Sequence, residues 1–155
     1  NQIPDTLPQL NVDGPKFTRL FELLFKDEIA SLPAGSRLTL TAQLLNSSPK
    51  PEIELQISDN GPGLPQEALR VLFDPFVVRT DTPAEYGIHL MACYFIVYHH
   101  GGKVDVRSEE GQGVTFTLTF PMQPKLDTPA EEEQAFLNQV LVNDAFWERV
   151  IAGQH

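Results

Sequence analysis

Glu52-Ile53-Glu54-Leu55-Gln56-Ile57-Ser58 runs directly into Asp59-Asn60-Gly61-Pro62-Gly63. In the first seven residues polar and apolar side chains alternate, the period of a strand with one face on a core and the other in water. The next five residues change character. A carboxylate stands at the strand end, and two closely spaced glycines follow. Glycines let the backbone turn sharply and approach a ligand without Cβ interference. A carboxylate held there can accept a hydrogen bond from the exocyclic amine of a flat polar ring such as adenine. Asp, Asn, Gly and Pro also make ordinary turns, so the surroundings decide between a turn and a site.

Upstream, Phe17, Leu20, Phe21, Leu24 and Phe25 fall at helical spacing between Lys16 and Ala30. Asp13-Gly14-Pro15 supplies a start, with Pro tolerated in the first turn, and Leu32-Pro33-Ala34-Gly35 an end. Leu38, Leu40, Ala42 and Leu44 then alternate with polar residues, and the loop 46–51 joins this strand to 52–58 as a hairpin. Downstream, Pro65 to Leu72 suggests a short helix, broken by Phe73-Asp74-Pro75-Phe76. Residues 77–86 read as a loop. Gly87 to His100 is apolar on nearly all sides, as in a buried helix, and Gly101-Gly102 stops it. Val104 and Val106, then Phe116, Leu118 and Phe120, form a final hairpin around Glu109-Glu110-Gly111-Gln112-Gly113.

The chain has 155 residues and a net charge of −10, which fits one domain and opposes binding to nucleic acid, for which a basic surface is needed. The single cysteine, Cys93, lies in an apolar run and reads as a small buried hydrophobe, consistent with a cytoplasmic setting. No stretch approaches membrane-spanning length, so no direct membrane contact is expected. Residues 1–12 read as a lead-in, 13–121 as the domain and 122–130 as a linker. Thr128-Pro129-Ala130-Glu131 is a capping box. It opens a helix over 131–152 that carries Phe136, Leu137, Val140, Leu141, Phe146, Trp147, Val150 and Ile151 together with an excess of acids. Packing back on its own domain is the default for such a helix, and a partner surface the alternative.

Several motifs in this order resemble the ATP-binding catalytic domain of sensor histidine kinases, in the wider group shared with gyrase, Hsp90 and MutL. They are Asp59-Asn60-Gly61-Pro62-Gly63, Phe73-Asp74-Pro75-Phe76, His100-Gly101-Gly102-Lys103-Val104 and Ser108-Glu109-Glu110-Gly111-Gln112-Gly113. The resemblance spans residues 13–121. It implies an α+β fold, a two-layer α/β sandwich with a mixed, mostly antiparallel sheet of the Bergerat type. It further implies ATP and Mg²⁺ as cofactors. Asp59 would bond the adenine amine, Gly61 and Gly63 would close on the base, and Phe73 and Phe76 would anchor a lid. Within the lid Arg79 is the candidate phosphate contact; a surface arginine is the commoner fate of such a residue. The implied reaction moves the ATP γ-phosphate to a histidine on a phosphoacceptor and dimerisation domain, with a response regulator as the later partner. No catalytic side chain is assigned within this chain.

Two elements depart from the family pattern. The position of its metal-holding Asn falls on Asp27, a hard oxygen donor suited to Mg²⁺. The neighbouring small and basic positions are Glu28 and Ala30, and the polar position one turn before is Leu23. The alternative for Lys26, Asp27 and Glu28 is a solvated charge cluster. The second glycine box maps onto Glu85-Tyr86-Gly87-Ile88-His89-Leu90, where only Gly87 remains to start a phosphate-facing helix. His99 and His100 stand at a helix end, where the dipole favours a charged imidazole. These departures leave a non-enzymatic adaptor or pseudokinase-like module as the competing expectation. An anti-sigma-factor kinase is disfavoured by the Phe73–Phe76 and Ser108–Gly113 motifs.

Overall fold

The computed structural model describes residues 1–46, 50–70, 72 and 85–123. In chain order the elements are α1 (Gly14–Ser31), β1 (Leu38–Leu45), β2 (Glu52–Asp59), α2 (Gln66–Arg70), α3 (Glu85–His99), β3 (Lys103–Glu109) and β4 (Gly113–Pro121). Phe73, Phe76, Arg79, most of the loop 77–86, the linker from residue 124 onward and the expected helix over 131–152 lie outside the described residues.

The four strands form one sheet in the order β1-β2-β4-β3. All three ladders are antiparallel; the parallel component is an isolated bridge between Gln2 and Thr41. Thus residues 1–12 include backbone pairing along β1, and Leu7 and Leu10 pack against the core. Alternation places every second residue of β2 inward, so Ile53, Leu55 and Ile57 are buried. They meet Phe116, Leu118 and Phe120 of β4 in register. The same period sends Asp59, the next inward position, to the helix side of the sheet.

Helices α1 and α3 pack together over that face. Leu20 and Leu24 of α1 and Leu90 and Val97 of α3 are fully buried, each burial stabilising the fold by roughly 1.5–3 kcal/mol. Leu23, at 4 % exposure, is also core. Asp13 caps α1, its carboxylate accepting from the Lys16 N–H at 3.1 Å, and that bond holds its carboxyl below the usual carboxylate range. At the end of α3, Gly101 takes φ +67°. Its N–H reaches the Tyr98 carbonyl at 2.8 Å while the Gly102 N–H reaches Val97 at 2.9 Å, a Schellman stop.

His100 has a different task from the charged helix-end imidazole expected for it. It is 1 % exposed. Its Nε2 accepts from the Asp13 backbone N–H at 3.1 Å, and its Nδ1 lies 2.7 Å from the Ile96 carbonyl. A backbone N–H can only donate and a carbonyl can only accept, so this geometry requires the neutral ring with its proton on Nδ1. The imidazole bolts the end of α3 to the cap of α1. No described helix is long and apolar enough to cross a membrane.

Candidate functional site

The Asp59 carboxylate is 7 % exposed and is held by backbone donors from two directions. Oδ1 accepts from the Gly61 N–H at 2.6 Å, and Oδ2 from the Val114 N–H of β4 at 2.7 Å. Asn60 faces the other way, its Oδ1 accepting from the Arg37 N–H at 2.6 Å. The turn therefore orients one carboxylate into the protein and uses its neighbour to anchor the approach to β1.

The glycines are required by space. A Cβ on Gly61 would stand 2.5 Å from Leu32 Cδ2 and 2.7 Å from Asp59 Oδ1. Gly63 adopts φ +74°, and a Cβ there would run into the Glu109 carbonyl oxygen. That close approach is one of several ties between the glycine turn and the β3–β4 hairpin. The Gly111 N–H donates to the Pro62 carbonyl at 2.6 Å. Ser108 Oγ accepts from the Leu64 N–H at 2.7 Å and donates to the Gly113 carbonyl at 3.0 Å. The two stretches, distant in sequence, make one hydrogen-bonded unit. Sequence reasoning gave Ser108 no role of its own and missed the Val114 N–H. The first was visible only as part of a motif, and the second is a backbone group that no side-chain pattern reveals.

Beside Asp59 a cavity of about 60 Å³ opens between the sheet and the last turn of α1, lined by Asp27, Glu28, Leu32, Leu64 and Phe116 among others. The solvated-cluster alternative fails for Asp27 and Glu28, which are 3 % and 6 % exposed; Lys26 alone of the three is exposed. Asp27 and Asp59 thus line one pocket, with Gly63 in its wall. Gly87 lies in the first turn of α3. Among the described residues no three His, Cys, Asp or Glu side chains gather as a metal cluster. Cys93 is buried, and burial pushes its thiol up to about 12, away from the thiolate form that a nucleophile uses.

These carboxylates suit a purine amine and a cation that carries phosphates. A carboxylate has roughly four lone-pair sites, and the two backbone bonds leave Asp59 able to accept an amine proton. Mg²⁺ is usually held by one or two carboxylates together with phosphate oxygens, and Asp27 offers one at the pocket. The described walls enclose far less than the roughly 300–1,000 Å³ of a typical ligand site, so a nucleotide would extend beyond them.

A four-stranded sheet under two helices, with a carboxylate and a glycine turn at the edge of an internal pocket, is an arrangement that suits nucleotide binding. Residues 17–124 match the family model described as histidine kinase-, DNA gyrase B- and HSP90-like ATPase, and the chain belongs to that family, whose ATPase domain binds ATP. Its curated relatives include the adaptive-response sensory kinase SasA of Synechococcus elongatus, 36 % identical over 122 residues, covering 77 % of this chain and 31 % of that protein. The sensor histidine kinase ZraS of Escherichia coli K12 is 31 % identical over 119 residues, covering 76 % and 24 %. The chain therefore spans about a quarter to a third of these relatives. The fold is that of histidine kinase catalytic domains. The mycobacterial sensor histidine kinase MprB superposes with a TM-score of 0.63 at 23 % identity, over 80 % of this chain and 82 % of that one. Full-length ShkA in complex with AMPPNP gives 0.66 at 22 %, over 80 % and 25 %.

Proposed function

We propose that this chain is the phosphoryl-donor domain of a two-component sensor histidine kinase working in the cytoplasm. It holds ATP and presents the γ-phosphate to a histidine on a phosphoacceptor and dimerisation domain, from which a response regulator is later phosphorylated. The observation that carries this reading is the Asp59 carboxylate, clamped by the Gly61 and Val114 N–H groups at the pocket wall. Such a carboxylate is an acceptor of fixed direction, suited to an adenine amine. Gly61 and Gly63 keep the approach clear of side chains. Phe73 and Phe76 anchor the lid, Arg79 meets phosphate, and Gly87 opens the α3 backbone to it.

Asp27 is the proposed Mg²⁺ ligand. When bound, Mg²⁺ supplies charge neutralisation across the phosphates. Asp27, Glu28 and Asp59 together put three carboxylates beside the pocket, so a triphosphate without its metal is repelled. The acceptor imidazole is itself a nucleophile, and this chain contributes position and charge rather than a general base. Calorimetry of ATP and ADP, with and without Mg²⁺, tests the assignment. Millimolar nucleotide should bind to the wild type with Mg²⁺, and Asp59→Asn, which presents an amide where two N–H groups need an acceptor, should weaken it by at least about tenfold. Absence of binding to wild-type protein that melts cooperatively would sink the kinase reading.

A further inference from the structure

A second cavity, of about 310 Å³, lies between α1, the inner face of β1 and β2, and the segment that precedes α1. Every described side chain lining it is apolar, Ile3, Leu7, Phe21, Phe25, Leu40 and Ile53 among them. Ile3 remains 37 % exposed, as does Leu44, which pairs with Ile53 at the end of the sheet. The apolar surface thus continues from the groove to that end.

The chain leaves β4 at the same place. Pro121 pairs with Glu52, and the Met122 N–H donates to the Pro51 carbonyl at 3.0 Å. From there β1 lies about two strand spacings away, roughly 10 Å, while residues 124–130 reach about 25 Å when extended. We propose that the groove is the seat of this chain's own C-terminal segment, residues 131–152, folded as an amphipathic helix.

Read at helical period, Phe136, Val140, Trp147 and Ile151 fall within about 60° of one another, an apolar stripe with no partner in its own segment. The segment carries Glu131, Glu132, Glu133, Asp144 and Glu148 against Arg149. Around the groove, exposed Lys26 and Lys50 stand with exposed Asp5 and Glu22, so the apolar lining and the reach of the chain, rather than charge, select the occupant. The inference is independent of the nucleotide assignment, since among the described residues the groove shares no lining residue with the Asp59 pocket.

Trp147, the single tryptophan, makes the seat testable in the full chain. Its emission should be blue-shifted and severalfold less quenched by acrylamide than in the isolated peptide 124–155, at every protein concentration. Ile3→Asp and Leu7→Asp, which put a carboxylate in the groove, should move emission and quenching toward the peptide values while the far-UV circular dichroism stays native. Ile29→Asp, at a position 76 % exposed outside the groove, should change neither. If the groove variants unfold, a nitroxide on Ile3→Cys serves instead, since buried Cys93 does not compete for the label; it should quench Trp147 within one molecule. Three results would overturn the proposal: Trp147 as exposed in the chain as in the peptide, protection that grows with concentration and so comes from a second copy, or protection indifferent to both groove variants and to the nitroxide.

Discussion

The two walls of the Asp59 pocket are built on different principles. On the sheet side, the glycine turn and the β3–β4 hairpin are tied by backbone N–H groups to Asp59, by Ser108 and by the Gly111–Pro62 bond. On the helix side, the last turn of α1 brings carboxylates, Asp27 and Glu28, where the family pattern has an amide and a small residue. The first wall is braced from two strands and fixes a direction. The second brings two more buried carboxylates to the pocket. On the proposed reading, the braced wall would grip the base and the second would face the cation.

Asp59→Ala is the strongest way to break the contrast. It leaves the Gly61 and Val114 N–H groups without their acceptor, and about 2–4 kcal/mol of stability should be lost, read as a lower denaturant midpoint. Nucleotide binding should vanish even in protein that remains folded. Ser108→Ala should cost about 1–2 kcal/mol, because the Leu64 N–H and the Gly113 carbonyl lose a shared partner, and should weaken ADP severalfold through disorder of the turn. Asp27→Asn sharpens the comparison from the other wall with the smallest effect on the fold. By removing one charge near the phosphates it should raise affinity for metal-free ATP by about fivefold, equivalent to about 1 kcal/mol, and flatten the Mg²⁺ dependence, while adenosine binding stays unchanged. Equal effects on ATP and adenosine would place Asp27 with the base rather than with the phosphates.

Much of the scaffold was legible because it is periodic or capped. The alternation in 52–58 gives β2 and, carried one step further, the inward direction of Asp59. Asp13-Gly14-Pro15 and Gly101-Gly102 mark helix ends whose hydrogen bonds are local. What sequence could not supply depends on register between distant strands. Nothing near Asp59 announces that Val114 will stand opposite it, or that the Ser108 hydroxyl will bridge Leu64 and Gly113. Asp27 and Glu28 were ambiguous for the same reason, since a charge near a helix end looks alike in water and in a pocket until the sheet closes over it. His100 looked like a dipole partner and became a neutral bolt because the Asp13 N–H arrives from across the fold. The single parallel bridge, at Gln2, likewise depends on where the first residues settle against β1.

The backbone cradle around Asp59 bears on how freely this site can drift. The groups that grip the carboxylate are the backbone N–H groups of Gly61 and Val114. At position 114 the bond to Asp59 makes no demand on the side chain, whereas at 61 it is space that forbids one. Substitution at 114 can proceed without moving the acceptor, so two chains could share this grip with little resemblance along the strand that supplies half of it.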